Sequence, residues 1–542
     1  MGHQPLRNTE YSCAHWSLLI FTLKEGEMMT FLSYLRENIE LKRLKTIFFC
    51  VFTFGLVAHG YSFFNGNFSH DSLFDLYELS PDPMIAVGRY FRPVYRLIRG
   101  DFALPVISGF LLMLFMALSI YLLTDTLPIR KPFFLILTCG ILITNASVTL
   151  LNATYIHDAD SYGFALLLVV LGIYITVKFK RGIFFAPLLY MLSLGLYQAY
   201  INVAIFVFLL LALVSLLEGA SVKQEYLKGL FRMISVGVGM ALYFIGYKVV
   251  LMITGISQSD GYNSVSRTGG LSLRNIAHRF YYCLKSELEW LIYPRNRVTW
   301  LITGITVVLM AVAIWLVITL LSRMKSSKRP IPGVIGIFAM IPFGINTITI
   351  LSDQYHELTT FSLFFLYILV VVLIELYLKN NDRIKIGSGI TYVSALLLCI
   401  IIFDNCIYSN QVYLKKEMEN AATLSVLTRM IGRMEGTEGY VPGETECAII
   451  GILDEGPLSQ HRAGFDYDTG GLWYNYNTSY PETYPIYLNY YLDYPVNFVS
   501  DDKLTALENT PEVKNMPFFP AEDSVKMVDG VMVVKLSEPV EK

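Results

Sequence analysis

The sequence predicts an all-α polytopic membrane protein of about 11 transmembrane helices, followed by a C-terminal extracytoplasmic α/β domain. Three observations lead there. Of 542 residues, 54% are hydrophobic and 16% charged, against about 25% charged in an ordinary soluble domain. The apolar residues come in blocks of roughly 17 to 22, the length that crosses a ~30 Å hydrocarbon core as a helix. Lysine and arginine collect in alternate loops between those blocks, the positive-inside pattern. The net charge of −2 gives no case for nucleic-acid binding. Seven cysteines without a CxxC pair exclude a zinc ribbon or a disulfide-built miniprotein.

The spans follow in order. The first is 46–64, then 103–124, 132–148 and 161–178. The apolar run 183–217 is too long for one crossing and carries Gln198 and Asn202 near its middle. It therefore reads as a tight hairpin of two spans, 183–197 and 200–217. The remainder are 233–253, 298–320, 331–350, 359–378 and 387–403. Within 233–253, Gly237 and Gly239 precede no phosphate-binding turn and read as packing glycines. With the N-terminus inside, the loops on that side carry 19 Lys and Arg. Loops 149–160, 198–199 and 351–358, on the other side, carry none. Residues 404–542 then lie outside.

Residues 1–45 read as a cytoplasmic N-terminal segment, of which 1–28 reads as an over-extended start, with Met28 and Met29 preceding a plain basic stretch. The domain boundaries are thus 1–45, 46–403 and 404–542. The last rests on charge: 32 of the 139 tail residues are charged, against 54 of the other 403. In the tail, 411–434 has helical apolar spacing, 446–453 reads as a buried strand and 528–536 as another. Segment 465–494 carries nine tyrosines, suited to sugar contact or to a membrane-interface belt.

Two outer loops break the charge pattern, and the chemistry is expected there. Loop 65–102 holds Asp71 and Asp75 just beyond the first span, then Arg89, Arg92, Arg96 and Arg99 at i, i+3, i+7 and i+10, one face of a helix that Pro93 would kink. A carboxylate facing a row of guanidiniums suits one reaction. The base takes a proton from an acceptor hydroxyl while the cations hold a departing lipid phosphate. The bland reading is a solvated charged loop. Loop 254–297 carries Arg267, Arg274, Arg279, Lys285, Arg295 and Arg297, read as lipid headgroup contacts or as phosphate ligands.

Further candidates flank these. His157, Asp158 and Asp160 form an Asp-x-Asp cluster like that of nucleotide-sugar enzymes. Nucleotide sugars are cytoplasmic and this loop is outside, so sugar or acceptor contact is the better reading. A divalent metal held there is possible but not favoured, and no cofactor is expected. Tyr197 and Gln198 sit at the hairpin turn, where they bind a ligand or satisfy backbone groups. Lys248 lies in the seventh span near its outer end, where it snorkels or reaches a phosphate. Asp353 and His356 form a third polar cluster with no assigned partner. No P-loop, nucleophile elbow or HExxH occurs.

Together these residues resemble a known family. The spans, the acid after the first span, Gly88-Arg89-Tyr90, Leu194-Gly195-Leu196-Tyr197-Gln198, Pro342-Phe343-Gly344-Ile345-Asn346 and the tail from Asp404 are similar to the Gtr-type glucosyl transferase II family. These are bacterial polytopic glycosyltransferases of the GT-C class, and the resemblance covers roughly 40–540. It implies a GT-C-like membrane domain and an inverting transfer of a hexose, usually glucose. The donor would be a polyprenyl-phosphate carrier on the outer face of the cytoplasmic membrane. The acceptor would be a lipid-linked surface polysaccharide such as O-antigen or a wall glycan. It also implies a carrier-loading glycosyl synthase and a small flippase as functional partners. The class base maps onto Asp71. His70 stands where the class often has a second acid, which leaves Asp75 as a sharer of the task. The Arg89 match supports phosphate binding. Other readings of the layout are a transporter or flippase for a lipid-linked glycan, and a glycan polymerase or ligase. The former should show paired repeats and broken helices at mid-membrane.

Overall fold

The computed structural model describes residues 40–66, 69, 72, 82–100, 104–258, 273–292, 300–324, 329–352, 357–379, 385–453 and 483–539. The chain divides into two units, Met1–Lys45 and Thr46–Lys542.

Among the described residues, nine helices are long and apolar enough to cross a membrane. The protein is a multi-pass membrane protein. The elements that build it are α1 (Leu41–Asn65), α2 (Arg92–Arg99), α3 (Pro105–Thr126), α4 (Pro132–Thr144), α5 (Ala146–Thr154), α6 (Ala159–Lys178), α7 (Gly182–Leu194), α8 (Ile201–Leu217) and α9 (Val222–Thr254). There follow α10 (Leu273–Ile292), α11 (Trp300–Arg323), α12 (Ile331–Ile345), α13 (Thr347–Ser352), α14 (Phe365–Lys379) and α15 (Lys385–Glu435). Two of these, α7 and α12, are shorter apolar helices at positions where the sequence places spans. The run 183–217 divides as expected, with a 3-10 turn at Gln198–Tyr200 between α7 and α8.

Three expectations change. The third span does not end at 148: Asn145 breaks the helix, and α5 carries it on to Thr154. A break inside a membrane must satisfy its own backbone. Asn145 does so from both ends, accepting from Val148 N at 3.2 Å and donating to the Leu142 carbonyl at 2.7 Å. Segment 149–160 is therefore buried and helical rather than an exposed loop. Pro93 does not kink α2. It sits in the first turn, where its missing N–H is no loss, and Gly100 with φ 94° ends the helix. The third change is at Asp404, which lies inside α15. No proline or glycine stands between Gly389 and Gly432, so nothing stops the helix where the composition shifts. Its 51 residues extend about 75 Å, more than twice the hydrocarbon thickness.

Close helix approach is met by small residues. At Gly239 of α9 a Cβ would fall 2.7 Å from Tyr190 Cβ of α7. Gly237, by contrast, has nothing within 4 Å.

Beyond α15 the chain forms a four-stranded sheet of β1 (Glu446–Ile450), β2 (Asn497–Phe498), β3 (Val525–Val528) and β4 (Val531–Lys535), in the order β2-β1-β4-β3. β1 runs parallel to β2 and β4, and β3 pairs antiparallel with β4. The strand expected at 528–536 is thus the second half of a hairpin. Its turn, Asp529-Gly530, has φ of 48° and 77°, the left-handed pair that a two-residue hairpin needs. Leu427, Met430 and Met434 of α15 pack on the sheet face formed by Cys447, Met532 and Val534. Ala448, Ile450 and Val533 face Leu507 and Val513 on the other side, the two-residue period of a strand. In the tyrosine-rich segment, Tyr484 and Tyr487 are buried in this core, while Tyr490 and Tyr491 are exposed. Residues 454–482 lie outside the described residues.

Candidate active site

The segment Ala86–Phe91 is held by groups from two distant helical regions. Its backbone carbonyls point into side-chain donors. Tyr247 Oη donates to Ala86 O at 2.6 Å, Gln198 Nε2 to Val87 O at 3.1 Å, and Tyr243 Oη to Gly88 O at 3.1 Å. Gly88 takes φ 85°, a conformation glycine adopts without cost. Phe91 N donates to Gly195 O at 2.9 Å. A Cβ on Gly195 would stand only 3.0 Å from Phe91 Cβ. Tyr90 stacks on Tyr243, with ring centroids 5.6 Å apart, and burial pushes its phenol up to about 12. The Gly-Arg-Tyr and Leu-Gly-Leu-Tyr-Gln segments, a hundred residues apart in sequence, are one packed unit.

That unit sets the side chain of Arg89 among tyrosines. Its Nη1 donates to Tyr162 Oη at 2.8 Å. Its guanidinium carbon lies 6.0, 5.5 and 5.6 Å from the ring centres of Tyr155, Tyr162 and Tyr197, within cation–π range. Among the described residues no carboxylate pairs with Arg89. Tyr197 also donates to Leu358 O at 2.9 Å.

The other arginines meet the Asp-x-Asp cluster. Arg92 Nε stands 2.5 Å from Asp158 Oδ2, with both side chains 2% exposed. Arg99 Nε stands 2.9 Å from Asp160 Oδ2. Tyr95 Oη donates to the same Asp160 oxygen at 2.8 Å, and Arg99 Nη2 donates to the His157 carbonyl. Burial, and then the Asp160 charge, push the Tyr95 phenol well above its ordinary range, so it remains a donor. Arg96, His157, Asp158 and Asp160 are all buried. Desolvating Asp158 and Asp160 is tolerable because each is paired with an arginine, which is how a polar segment expected in a loop comes to lie inside.

The structure therefore brings together Arg89, Arg92, Arg96, His157, Asp158, Asp160, Tyr197 and Gln198. Lys248 stands apart, exposed on α9 with Nζ 3.5 Å from Gln258 Oε1. Asp71, Asp75, Asp353 and His356 lie outside the described residues. On either side of residues 70–71, Ser69 Oγ donates to Thr154 O at 2.5 Å and lies 2.9 Å from Ser72 Oγ. Thr154 directly precedes Tyr155. Among the described residues no group of three or more His, Cys, Asp or Glu side chains is arranged to hold a metal ion.

Sequence reasoning missed Tyr155, Tyr162, Tyr243, Tyr247 and the pairing of Tyr95 and Arg99 with Asp160. The tyrosine pairs are spaced i, i+7 and i, i+4, so helical spacing of tyrosines near a glycine-arginine-tyrosine segment was the available signal.

The model of the glucosyl transferase GtrII family matches residues 60–374, a stretch that contains all of these side chains. No curated protein and no solved structure matches the chain.

Proposed function

The chain belongs to the glucosyl transferase GtrII family, and we propose that this membrane glycosyltransferase takes glucose from a polyprenyl-phosphate carrier and passes it, with inversion, to a surface polysaccharide. The site would face the outer side of a bacterial cytoplasmic membrane, with the C-terminal domain on that same side. The acceptor would be a lipid-linked glycan such as O-antigen or a wall polymer. A carrier-loading synthase and a small flippase would supply the donor.

The observation that carries this reading is Arg89. A guanidinium packed against three phenol rings, with no carboxylate among the described residues to balance it, calls for an anion from elsewhere. A lipid phosphate supplies one. In the proposed step a carboxylate takes the proton of an acceptor hydroxyl, and that oxygen attacks the anomeric carbon of the donor. The bond from that carbon to the phosphate oxygen breaks, and its electron pair stays on the phosphate, whose added negative charge Arg89 stabilises. Asp71 is the proposed base, with Asp75, four residues on, as the alternative. Ser69, two residues before Asp71 in the sequence, bonds the carbonyl of Thr154, the residue before Tyr155, whose ring faces Arg89.

The test supplies purified protein in vesicles with a labelled acceptor glycan and one of three donors: polyprenyl-phosphate glucose, polyprenyl-pyrophosphate glucose or a nucleotide glucose. Transfer from the monophosphate carrier with inverted anomeric configuration is expected. Transfer from either other donor, with none from the monophosphate carrier, would overturn the reading.

A further inference from the structure

We infer that Asp160, with Asp158, acts as a positioning residue for Arg89 rather than as a contact for sugar. This rests on the reading that Arg89 meets the donor phosphate. A helix of eight residues such as α2 has little stability of its own, so its place is set by what holds its ends. Arg92 and Arg99 stand seven residues apart, two turns along one face. The partner acids lie on the other side of the contact. Asp158 closes the 3-10 turn Ile156–Asp158, and Asp160 lies in the first turn of α6. One ion pair thus pins each end of α2.

The pinning reaches Arg89 through the backbone. Arg92 N donates to the Arg89 carbonyl at 3.1 Å, so the residue anchored on Asp158 is bonded to the peptide that carries the phosphate-facing side chain. The pairs also divide the charge. Asp158 and Asp160 balance Arg92 and Arg99 inside the protein, which directs an incoming anion toward Arg89.

At Asp160 the oxygens are already used. Oδ2 accepts from Arg99 Nε at 2.9 Å and from Tyr95 Oη at 2.8 Å, and Oδ1 accepts from Arg99 Nη2 at 3.3 Å. The side chain is 0% exposed. A carboxylate that grips a sugar hydroxyl has to present an oxygen to the substrate. Asp158 Oδ1, which has no hydrogen-bond partner among the described residues, makes Asp158 the less decisive of the two, so the test turns on Asp160.

The experiment compares the full-length wild type with Asp160→Asn, the exchange variant Arg99→Asp/Asp160→Arg, Tyr95→Phe and Arg89→Ala, all in lipid nanodiscs. Two quantities are read: amide hydrogen exchange of residues 86–100 without substrate, and KM for polyprenyl-phosphate glucose and for the acceptor separately from kcat. Asp160→Asn should speed exchange across 86–100 and raise the donor KM by roughly tenfold or more, with the acceptor KM unchanged. The exchange variant should recover most of that loss. If Asp160→Asn does not fold, Tyr95→Phe carries the test, because it removes one hydrogen bond and keeps both ion pairs. It should raise the donor KM by roughly threefold to tenfold. Unchanged exchange over 86–100, or an effect confined to the acceptor KM, would overturn the positioning role. If Arg89→Ala also leaves the donor KM unmoved, the phosphate reading itself falls. A strong dependence on Arg89 beside indifferent Asp160 and Tyr95 variants overturns the positioning role alone.

Discussion

Arg89 Nη1 donates to the Tyr162 hydroxyl at 2.8 Å, and the Tyr162 ring in turn lies 4.5 Å, centroid to centroid, from that of Tyr197. Among the described residues Arg89 has no carboxylate partner, and on the proposed reading this contact holds the guanidinium in place for the donor phosphate.

Tyr162→Phe should separate these two roles. The ring remains for the cation, and one charged hydrogen bond is lost, a change of roughly tenfold. The donor KM should rise by about that factor while kcat changes little and the protein stays monodisperse in detergent. A donor KM equal to wild type would show that the hydroxyl does not orient Arg89.

Gln198 bonds both Val87 O and Tyr243 Oη, each at 3.1 Å, and so ties the hairpin turn to the segment that bears Arg89. Gln198→Ala should lower kcat/KM by roughly threefold to thirtyfold, the effect of one or two hydrogen bonds, with membrane insertion intact. If transfer stays at the wild-type rate, that tie has no part in placing Arg89.

The general base is testable at Asp71 and Asp75. Loss of a positioned base costs roughly 10²–10⁴-fold in rate. Asp71→Asn should abolish transfer at matched expression, and Asp75→Asn should not. Loss confined to Asp75→Asn would move the base to Asp75. Activity kept in the double variant would remove both residues from the chemistry.

Glu287 gives a pH prediction independent of the reaction. It lies on α10, which is not among the membrane-spanning helices, and burial pushes its carboxyl from the ordinary 4.5 up to about 9. The folded protein therefore keeps this proton at neutral pH, whereas the unfolded chain releases it. Stability contributed by the protonated carboxyl is complete below pH 4.5 and is lost as pH rises toward 9. Glu287→Gln, permanently neutral, should match the wild-type melting temperature at pH 5 and exceed it at pH 8. Equal melting temperatures at both pH values would contradict the burial of this carboxyl.

Much of the architecture was legible because the membrane imposes one length and one kind of residue on each crossing. Span positions, the hairpin within 183–217 and the grouping of short motifs all follow from that. The errors occur where a side chain overrides composition. Asn145 carries a helix through a break, so 149–160 read as a loop although it is buried. The charge shift at Asp404 falls within α15, because a helix without breakers runs on through a change of composition. Asp529-Gly530 is a strong hairpin signal that the apolar run 528–536 concealed. In the site, the spacing of Arg92, Arg96 and Arg99 marked one face of α2, whereas Arg89, expected on the same face, lies before that helix. The spacing did not reveal that Asp158 and Asp160 are what two of them bind, since ion pairs between segments sixty residues apart leave no local pattern.

The most direct test of the account is the affinity of sugar-free polyprenyl phosphate for the purified protein in nanodiscs, measured for the wild type, Arg89→Lys and Arg89→Ala. If Arg89 seats the carrier phosphate, Arg89→Ala should bind roughly 10- to 100-fold more weakly, the worth of a charge-assisted hydrogen bond to phosphate. Arg89→Lys should fall between, because it keeps the charge and loses the planar two-pronged donor. Wild-type affinity in Arg89→Ala would contradict the account at its centre.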